Sequence, residues 1–170
     1  MELSDKNFAP PAQSPIEKIN ATLQELGSTA KWKRAPERIP GTEALKDKTI
    51  VMVDDESGVL EAFIPDLMVA TDGKATFIKY NGQSVEELIE QIRQSKANLV
   101  LLDFHLSETL KGATVARAMT DQGFAGSIVG FSSDDDARRK FKAAGALGAI
   151  NKEAGFPESS VKKLGELFGQ

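Results

Sequence analysis

Residues 49–55 read Thr-Ile-Val-Met-Val-Asp-Asp, a short apolar run that ends in two carboxylates. Similar short apolar runs lie at 76–80, 99–102, 127–131 and 149–150. Amphipathic stretches typical of helices occur at 84–95, 113–119, 135–143 and 158–168. Parallel strands need crossover connections, and those crossovers bury the sheet. The alternation therefore predicts an α/β fold, with a doubly wound, five-stranded parallel sheet covered by helices on both faces.

The composition restricts the chemistry that the chain can support. Its 170 residues contain no cysteine and a single histidine, which excludes disulfides, thiolate metal sites and multi-histidine metal sites. Any bound metal is therefore expected to have mainly oxygen ligands. The net charge of −4 argues against general affinity for nucleic acid. We expect no membrane span, and the N-terminus lacks the features of a secretory signal, so the expected location is cytoplasmic.

Residues 1–47 differ from the rest of the chain, because they contain five of its seven prolines and no strand-like run. Ser14 can cap a helix with Pro15 at its first position, and Gly27 can end it. The apolar residues of this helix would share one face: Ile16, Ile19, Leu23 and Leu26. We therefore expect an N-terminal arm over 1–47 with one short helix, followed by a single domain over 48–170. We expect the arm to pack on that domain or on a partner.

Pro65 lies inside the helical pattern that follows the first strand. A proline there removes a backbone donor and clashes with the carbonyl oxygen of Glu61. The sequence thus predicts a kink or a break near Ile64.

Polar residues follow four of the five apolar runs. Asp54 and Asp55 end the first, Asp103 ends the third, Ser132 follows the fourth and Lys152 follows the fifth. In a parallel sheet these ends meet at one edge, where ligands bind. Three carboxylates close together repel one another unless a cation lies among them. Few oxygen ligands with room for water favour Mg²⁺ over Ca²⁺.

These residues resemble the motifs of response-regulator receiver domains of two-component signalling. The matching segments, in chain order, are Val53-Asp54-Asp55-Glu56, Leu102-Asp103-Phe104-His105-Leu106, Phe131-Ser132-Ser133, and Gly145-Ala146 leading to Asn151-Lys152. The resemblance covers about residue 48 to the C-terminus. It implies the flavodoxin-like strand order 2-1-3-4-5.

The resemblance also implies a role for each site residue. Asp103 would accept a phosphoryl group, and Mg²⁺ would be held by Asp54, Asp55, Asp103 and the backbone carbonyl of His105. Ser132 and Lys152 would bind phosphoryl oxygens and take part in the switch. The side chains of His105 and Asp134 would tune the lifetime of the phosphate, although His105 is equally interpretable as an exposed loop residue that contributes only its carbonyl.

The function implied is that of a single-domain response regulator. A histidine kinase or phosphotransfer protein would donate the phosphoryl group, and a downstream protein would read the result. The chain would not be an enzyme beyond its own phosphorylation and dephosphorylation. Two alternatives remain: an interaction module that takes no phosphate, and an aspartate-based phosphohydrolase, which would need a second aspartate where His105 stands.

Four departures from the family pattern concern loops and signal readout. Glu153 and Ser107 stand where prolines are common, and the 108–112 loop is about one residue longer than usual. Ala149 occupies a position that often carries an aromatic residue, which swings inward on activation. An alanine has no such rotamer, so the usual readout is in doubt.

Overall fold

The computed structural model describes residues 14–152 and 156–169. The helices are α1 (Pro15–Glu25), α2 (Ser57–Ala70), α3 (Val85–Gln94), α4 (Gly112–Asp121), α5 (Asp135–Ala143) and α6 (Pro157–Phe168), with a short 3-10 helix at Glu43–Asp47. The strands are β1 (Ile50–Asp54), β2 (Ala75–Lys79), β3 (Leu99–Asp103), β4 (Ser127–Phe131) and β5 (Gly148–Ile150). None of the helices in these ranges has both the length and the apolar character needed to cross a membrane.

The five strands form one parallel sheet in the order β2-β1-β3-β4-β5, which confirms the predicted topology. Asp54 is in register with Lys79, and Asp103 is in register with Phe131. Because all five strands run the same way, their carboxyl ends share one edge of the sheet.

Alternating side chains of the central strands pack into two separate hydrophobic cores. Ile50 and Met52 of β1 point into a cluster with α1, α2 and α6, which we call the arm-side core. Val51 and Val53 point into a second cluster with α3, α4 and α5. This strand is thus buried on both faces, which explains why its sequence is a continuous apolar run instead of an alternating one.

The helix predicted in the arm is present and begins where expected. The backbone N–H of Glu17 donates to the Ser14 hydroxyl at 3.4 Å, and Pro15 occupies the first turn. Ile19 and Leu23 are completely or almost completely buried in the arm-side core. The arm then contacts the end of α2, where Arg38 pairs with Asp72. Residues 14–47 therefore share a core with β1 and α2, and residues 1–13 lie outside the described part.

The sequence predicts a kink or a break near Ile64, and the break is wrong, because α2 continues through Pro65 to Ala70. A proline inside a helix costs about 3 kcal/mol. Eight residues of α2 are buried, Pro65 among them, and the arm packs across the same helix. The burial of this apolar surface offsets the local cost, which the sequence pattern alone does not reveal.

Candidate functional site

The ends of four strands bring polar side chains to the carboxyl edge of the sheet. Asp54 is the last residue of β1, and Asp103 is the last residue of β3. Ser132 follows β4 directly, and Lys152 lies two residues beyond β5. The predicted strand-end residues therefore lie on one edge, as the parallel topology requires.

Three carboxylates form a compact cluster at this edge. Asp54, Asp55 and Asp103 each offer one oxygen atom, and these atoms lie within 4.8 Å of one another. Asp54 and Asp103 are buried, whereas Asp55 is half-buried. The backbone N–H of Glu56 donates to Oδ1 of Asp54 at 2.9 Å, which orients this carboxylate.

Lys152 links two of the carboxylates. Its Nζ lies 2.9 Å from Oδ2 of Asp54 and 3.1 Å from Oδ1 of Asp103. Both contacts are ion pairs, and the second is also a hydrogen bond donated by Lys152. The ammonium group thus compensates part of the negative charge buried at the strand ends.

Burial shifts the ionisation of these groups. Desolvation, followed by the neighbouring charge of Asp54, raises the pKa of Asp103 to about 7. Desolvation also raises the pKa of Asp54. Burial by itself lowers the pKa of Lys152, but the carboxylates of Asp54 and Asp103 outweigh burial and hold this pKa above its ordinary value. One ammonium group therefore does not fully balance the carboxylates.

The arrangement fits a hard divalent cation. Oδ2 of Asp103 is buried and has no hydrogen-bond partner among the described residues. A carboxylate oxygen left without a donor is costly unless a cation or another polar group approaches it. Three carboxylates and no sulfur ligand match the preference of Mg²⁺, which keeps several waters. The donor set thus suits the ion predicted from the sequence.

Ser132 connects the site to the helix that follows β4. It is buried, and its backbone N–H donates to the Ile150 carbonyl at 3.1 Å. Its hydroxyl oxygen accepts from the backbone N–H of Asp134 at 3.2 Å. Asp134 in turn caps α5 by accepting from the N–H of Asp136 at 2.9 Å. A change at the Ser132 hydroxyl would therefore reach the first turn of α5.

His105 lies on the outer side of the loop that follows β3. Its side chain is exposed, and Nδ1 lies 3.3 Å from Nζ of Lys111. His105 and Lys111 also form an isolated antiparallel bridge that closes this loop. Lys111 was not predicted from the sequence, because its nearness to His105 depends on how the loop closes.

The presence of a serine and not a proline at position 107 has a structural explanation. Ser107 donates its backbone N–H to the Leu110 carbonyl at 3.1 Å, and its hydroxyl accepts from the Leu110 N–H at 2.9 Å. A proline at this position could not make the first bond. Glu153, the other position where a proline is common, lies outside the described residues.

Ala149 lies on the last strand, opposite Gly130 of β4. It is half-buried and lines a groove of about 410 Å³ together with Arg138 and Asn151. A larger side chain at position 149 would fill part of this groove.

Comparisons with protein-family models and with curated proteins find no match. The structure is similar to the BeF3-activated DrrB receiver domain, with a TM-score of 0.53 and 20% identity over 71% of this chain and 97% of that one. The chain has the receiver fold. A LuxR-family response regulator from Aurantimonas sp. SI85-9A1 gives a TM-score of 0.53 and 19% identity, covering 72% of this chain and 86% of that chain.

The NtrX receiver domain from Brucella abortus has a TM-score of 0.52 and 19% identity, covering 69% of this chain and 97% of that chain. These receivers are thus matched over most of their length, while this chain extends beyond the matched part. At this level of identity the likeness establishes the receiver fold, and the roles of individual residues depend on the geometry of the site.

Proposed function

We propose that this chain is a phosphoacceptor receiver that takes a phosphoryl group on Asp103 from a histidine kinase or phosphotransfer protein. Its output would be a changed contact with a downstream protein. The observation that carries the proposal is the environment of Asp103. This buried carboxylate has one oxygen bound to Lys152 and the other without a hydrogen-bond partner among the described residues.

The chemistry needs an oxygen nucleophile and compensation of charge. An oxygen of ionised Asp103 attacks the phosphorus atom of the donor and forms a new O–P bond. The bond from phosphorus to the donor's leaving nitrogen breaks, and that nitrogen takes the electron pair. Lys152 holds positive charge at the acceptor throughout, so positioning and electrostatics supply most of the rate.

A bound Mg²⁺ would neutralise charge on the transferring group. Asp54, Asp55 and Asp103 would hold it, together with the backbone carbonyl of His105. The cluster of three carboxylates supports this assignment, because each offers an oxygen within 4.8 Å of the others. The site would bind the ion weakly without phosphate, as expected where several waters remain.

Ser132 is the residue that would report phosphorylation. Its hydroxyl oxygen accepts a hydrogen bond from Asp134, which leaves its own proton free to donate to a phosphoryl oxygen. The acyl phosphate carries roughly −1.5 to −2 charge on its phosphoryl oxygens. Drawing the hydroxyl toward that charge would shift the loop before α5. Because Ala149 replaces the usual aromatic, this loop is the proposed route of readout.

The side chains of His105 and Asp134 would affect how long the phosphate lasts. Both follow a site residue by two positions, and both are exposed. Each would limit the access of water to the acyl phosphate. The alternative for His105, an exposed loop histidine that contributes only its carbonyl, predicts that His105→Ala leaves the lifetime unchanged.

The test is intact-mass measurement after incubation with acetyl phosphate and Mg²⁺. One added phosphoryl group is expected on the wild type, none on Asp103→Asn, and one on Asp121→Asn, an exposed aspartate at the end of α4 used as the matched control. A label that persists in Asp103→Asn would remove the assignment.

A phosphorylation-independent interaction module is the second candidate. The ion pairs of Lys152 with Asp54 and Asp103 favour it, because they stabilise the pocket without phosphate. In that case the wild type would take no label, either from acetyl phosphate or from phosphorylated donor proteins.

A further inference from the structure

A cationic groove lies between α4 and α5, outside the phosphoacceptor pocket. Its volume is about 480 Å³. Three basic residues line it: Lys111 at the start of α4, Arg117 on α4 and Lys140 on α5. None of the described residues that line it is acidic, although the chain as a whole carries a net charge of −4. The groove therefore has a local charge opposite to that of the protein.

Two of the three basic groups have no acidic partner in the described part of the chain. Lys140 pairs with Asp136 at 3.0 Å. Among the described residues, neither Lys111 nor Arg117 takes part in an ion pair. Arg117 instead donates to the Ala143 carbonyl at 2.9 Å, and Lys111 contacts the Ser107 carbonyl at 3.4 Å. Both cations thus remain available to a carboxylate from outside.

The floor of the groove is apolar and made of small side chains. Ala113 of α4 and Ala144 after α5 leave the space between the helices open, and Phe104 closes its base. The residues of α4 and its cap that line the groove run from Lys111 to Arg117, a rise of roughly 9 Å at 1.5 Å per residue. An extended peptide advances about 3.3 Å per residue, so about three residues match this length.

We propose that this groove binds an extended acidic segment of a partner protein. Carboxylates of the segment would pair with Lys111 and Arg117, while small apolar side chains would lie on the alanine floor. Nucleic acid is disfavoured, because Phe104 is only 3% exposed and offers no face for base stacking. The overall negative charge also opposes a long polyanion.

The groove is connected to the phosphoacceptor through the backbone. Phe104 follows Asp103, and its carbonyl accepts from the N–H of Gly112 at 2.6 Å, next to Lys111. A shift at Asp103 would therefore move one wall of the groove. This link rests on the proposed function. It requires that phosphorylation change the affinity for the peptide by the same factor as bound peptide changes the phosphorylation equilibrium. Peptide binding itself does not depend on the proposed function.

The test uses a fluorescein-labelled hexapeptide of alternating glutamate and alanine and the full unphosphorylated chain. Anisotropy titration should show binding that Arg117→Gln weakens about tenfold, as expected when a charged hydrogen bond is lost, and that Arg117→Glu removes. Lys162→Glu on α6, across the sheet, makes the same change in net charge as Arg117→Glu and should bind like the wild type. Amide shifts on binding should centre on Ala113 and Ala144.

Three results would overturn the proposal. The hexapeptide could bind no better than a lysine–alanine hexapeptide, Lys162→Glu could weaken binding as much as Arg117→Glu, or a single-stranded oligonucleotide could displace the peptide and bind more tightly. Circular dichroism checks that each variant folds. Phosphorylation of Arg117→Glu separates the two proposals: normal labelling with lost peptide binding supports the groove, whereas wild-type peptide binding without labelling contradicts only the phosphoacceptor.

Discussion

The α-carbon of Gly112 lies directly against the carbonyl group of Asp103. A Cβ atom added at Gly112 would be 2.0 Å from the Asp103 carbonyl oxygen, which is backbone and cannot rotate away. The first residue of α4 is thus packed onto the backbone of the proposed phosphoacceptor, with its N–H bonded to Phe104 at 2.6 Å.

Gly112→Ala should therefore lower the free energy of unfolding, by about 2–3 kcal/mol, as for an overpacked core position. It should also slow labelling of Asp103, because the backbone of the acceptor has to move. Gly58→Ala is the control: Gly58 lies in the first turn of α2, and a Cβ there meets nothing within 4 Å. It should be stabilising by about 0.5–1 kcal/mol. Urea unfolding measures the free energy of unfolding of both variants. Equal changes in Gly112→Ala and Gly58→Ala would contradict the close contact at Gly112.

Packing of the arm predicts that truncation of Ile19 strongly lowers the free energy of unfolding. This side chain is fully buried in the arm-side core, whereas Ile16 on the same helix is half-buried. Ile19→Ala should lower the free energy of unfolding by about 2–4 kcal/mol through lost burial and a residual cavity. Ile16→Ala removes the same atoms and should cost about 1 kcal/mol or less. Similar small losses in both variants would mean that α1 does not contribute to the core.

The charge balance of the site predicts that Mg²⁺ and Lys152 partly replace each other. Lys152→Ala leaves Asp54 and Asp103 without their ammonium partner, which should lower the free energy of unfolding by about 3 kcal/mol at pH 8 in EDTA. Added Mg²⁺ should raise the melting temperature of this variant more than that of the wild type.

Lys162→Ala, which removes an exposed lysine on α6, should respond to Mg²⁺ as the wild type does. Equal responses from Lys152→Ala and Lys162→Ala would show that the ion does not bind at the carboxylates.

Asp66 on α2 predicts a pH-dependent stability. Burial, followed by the charge of Glu158 on α6, raises the pKa of Asp66 to about 6. A raised folded-state pKa adds stability below the ordinary value of 3.8, and this stability is lost as pH rises through 6.

Asp66→Asn should therefore match the wild type near pH 4. At pH 8 it should be more stable by about 1–2 kcal/mol, after allowance for partial exposure. Unfolding curves across this pH range test the sign of the stability difference between Asp66→Asn and the wild type. Asp47→Asn, which removes an exposed carboxylate beside β1, controls for the change in net charge. A constant difference at every pH would contradict the assigned cause.

Local patterns were sufficient to predict the sheet and the residues at its edge. The runs that contain Ile50–Asp54 and Leu99–Asp103 are apolar throughout and end in carboxylates. A strand that is buried on both faces has to be apolar throughout. The carboxylates that end these runs mark the edge of the sheet where ligands bind. The helix over Pro15–Glu25 was likewise predictable, since its cap and its apolar face are encoded within a dozen neighbouring residues.

Contacts between distant segments were decided only by the tertiary structure. The sequence pattern around Pro65 predicts a kink or a break, and the break does not occur, because burial against the arm and the sheet keeps α2 continuous. Nothing in the sequence near Gly112 shows that it lies on the Asp103 carbonyl, or that Lys111 and Arg117 face Lys140 across a groove. The physical reason is range: hydrophobic periodicity and capping act between near neighbours, whereas close packing, desolvation and charge depend on which remote atoms the fold brings together.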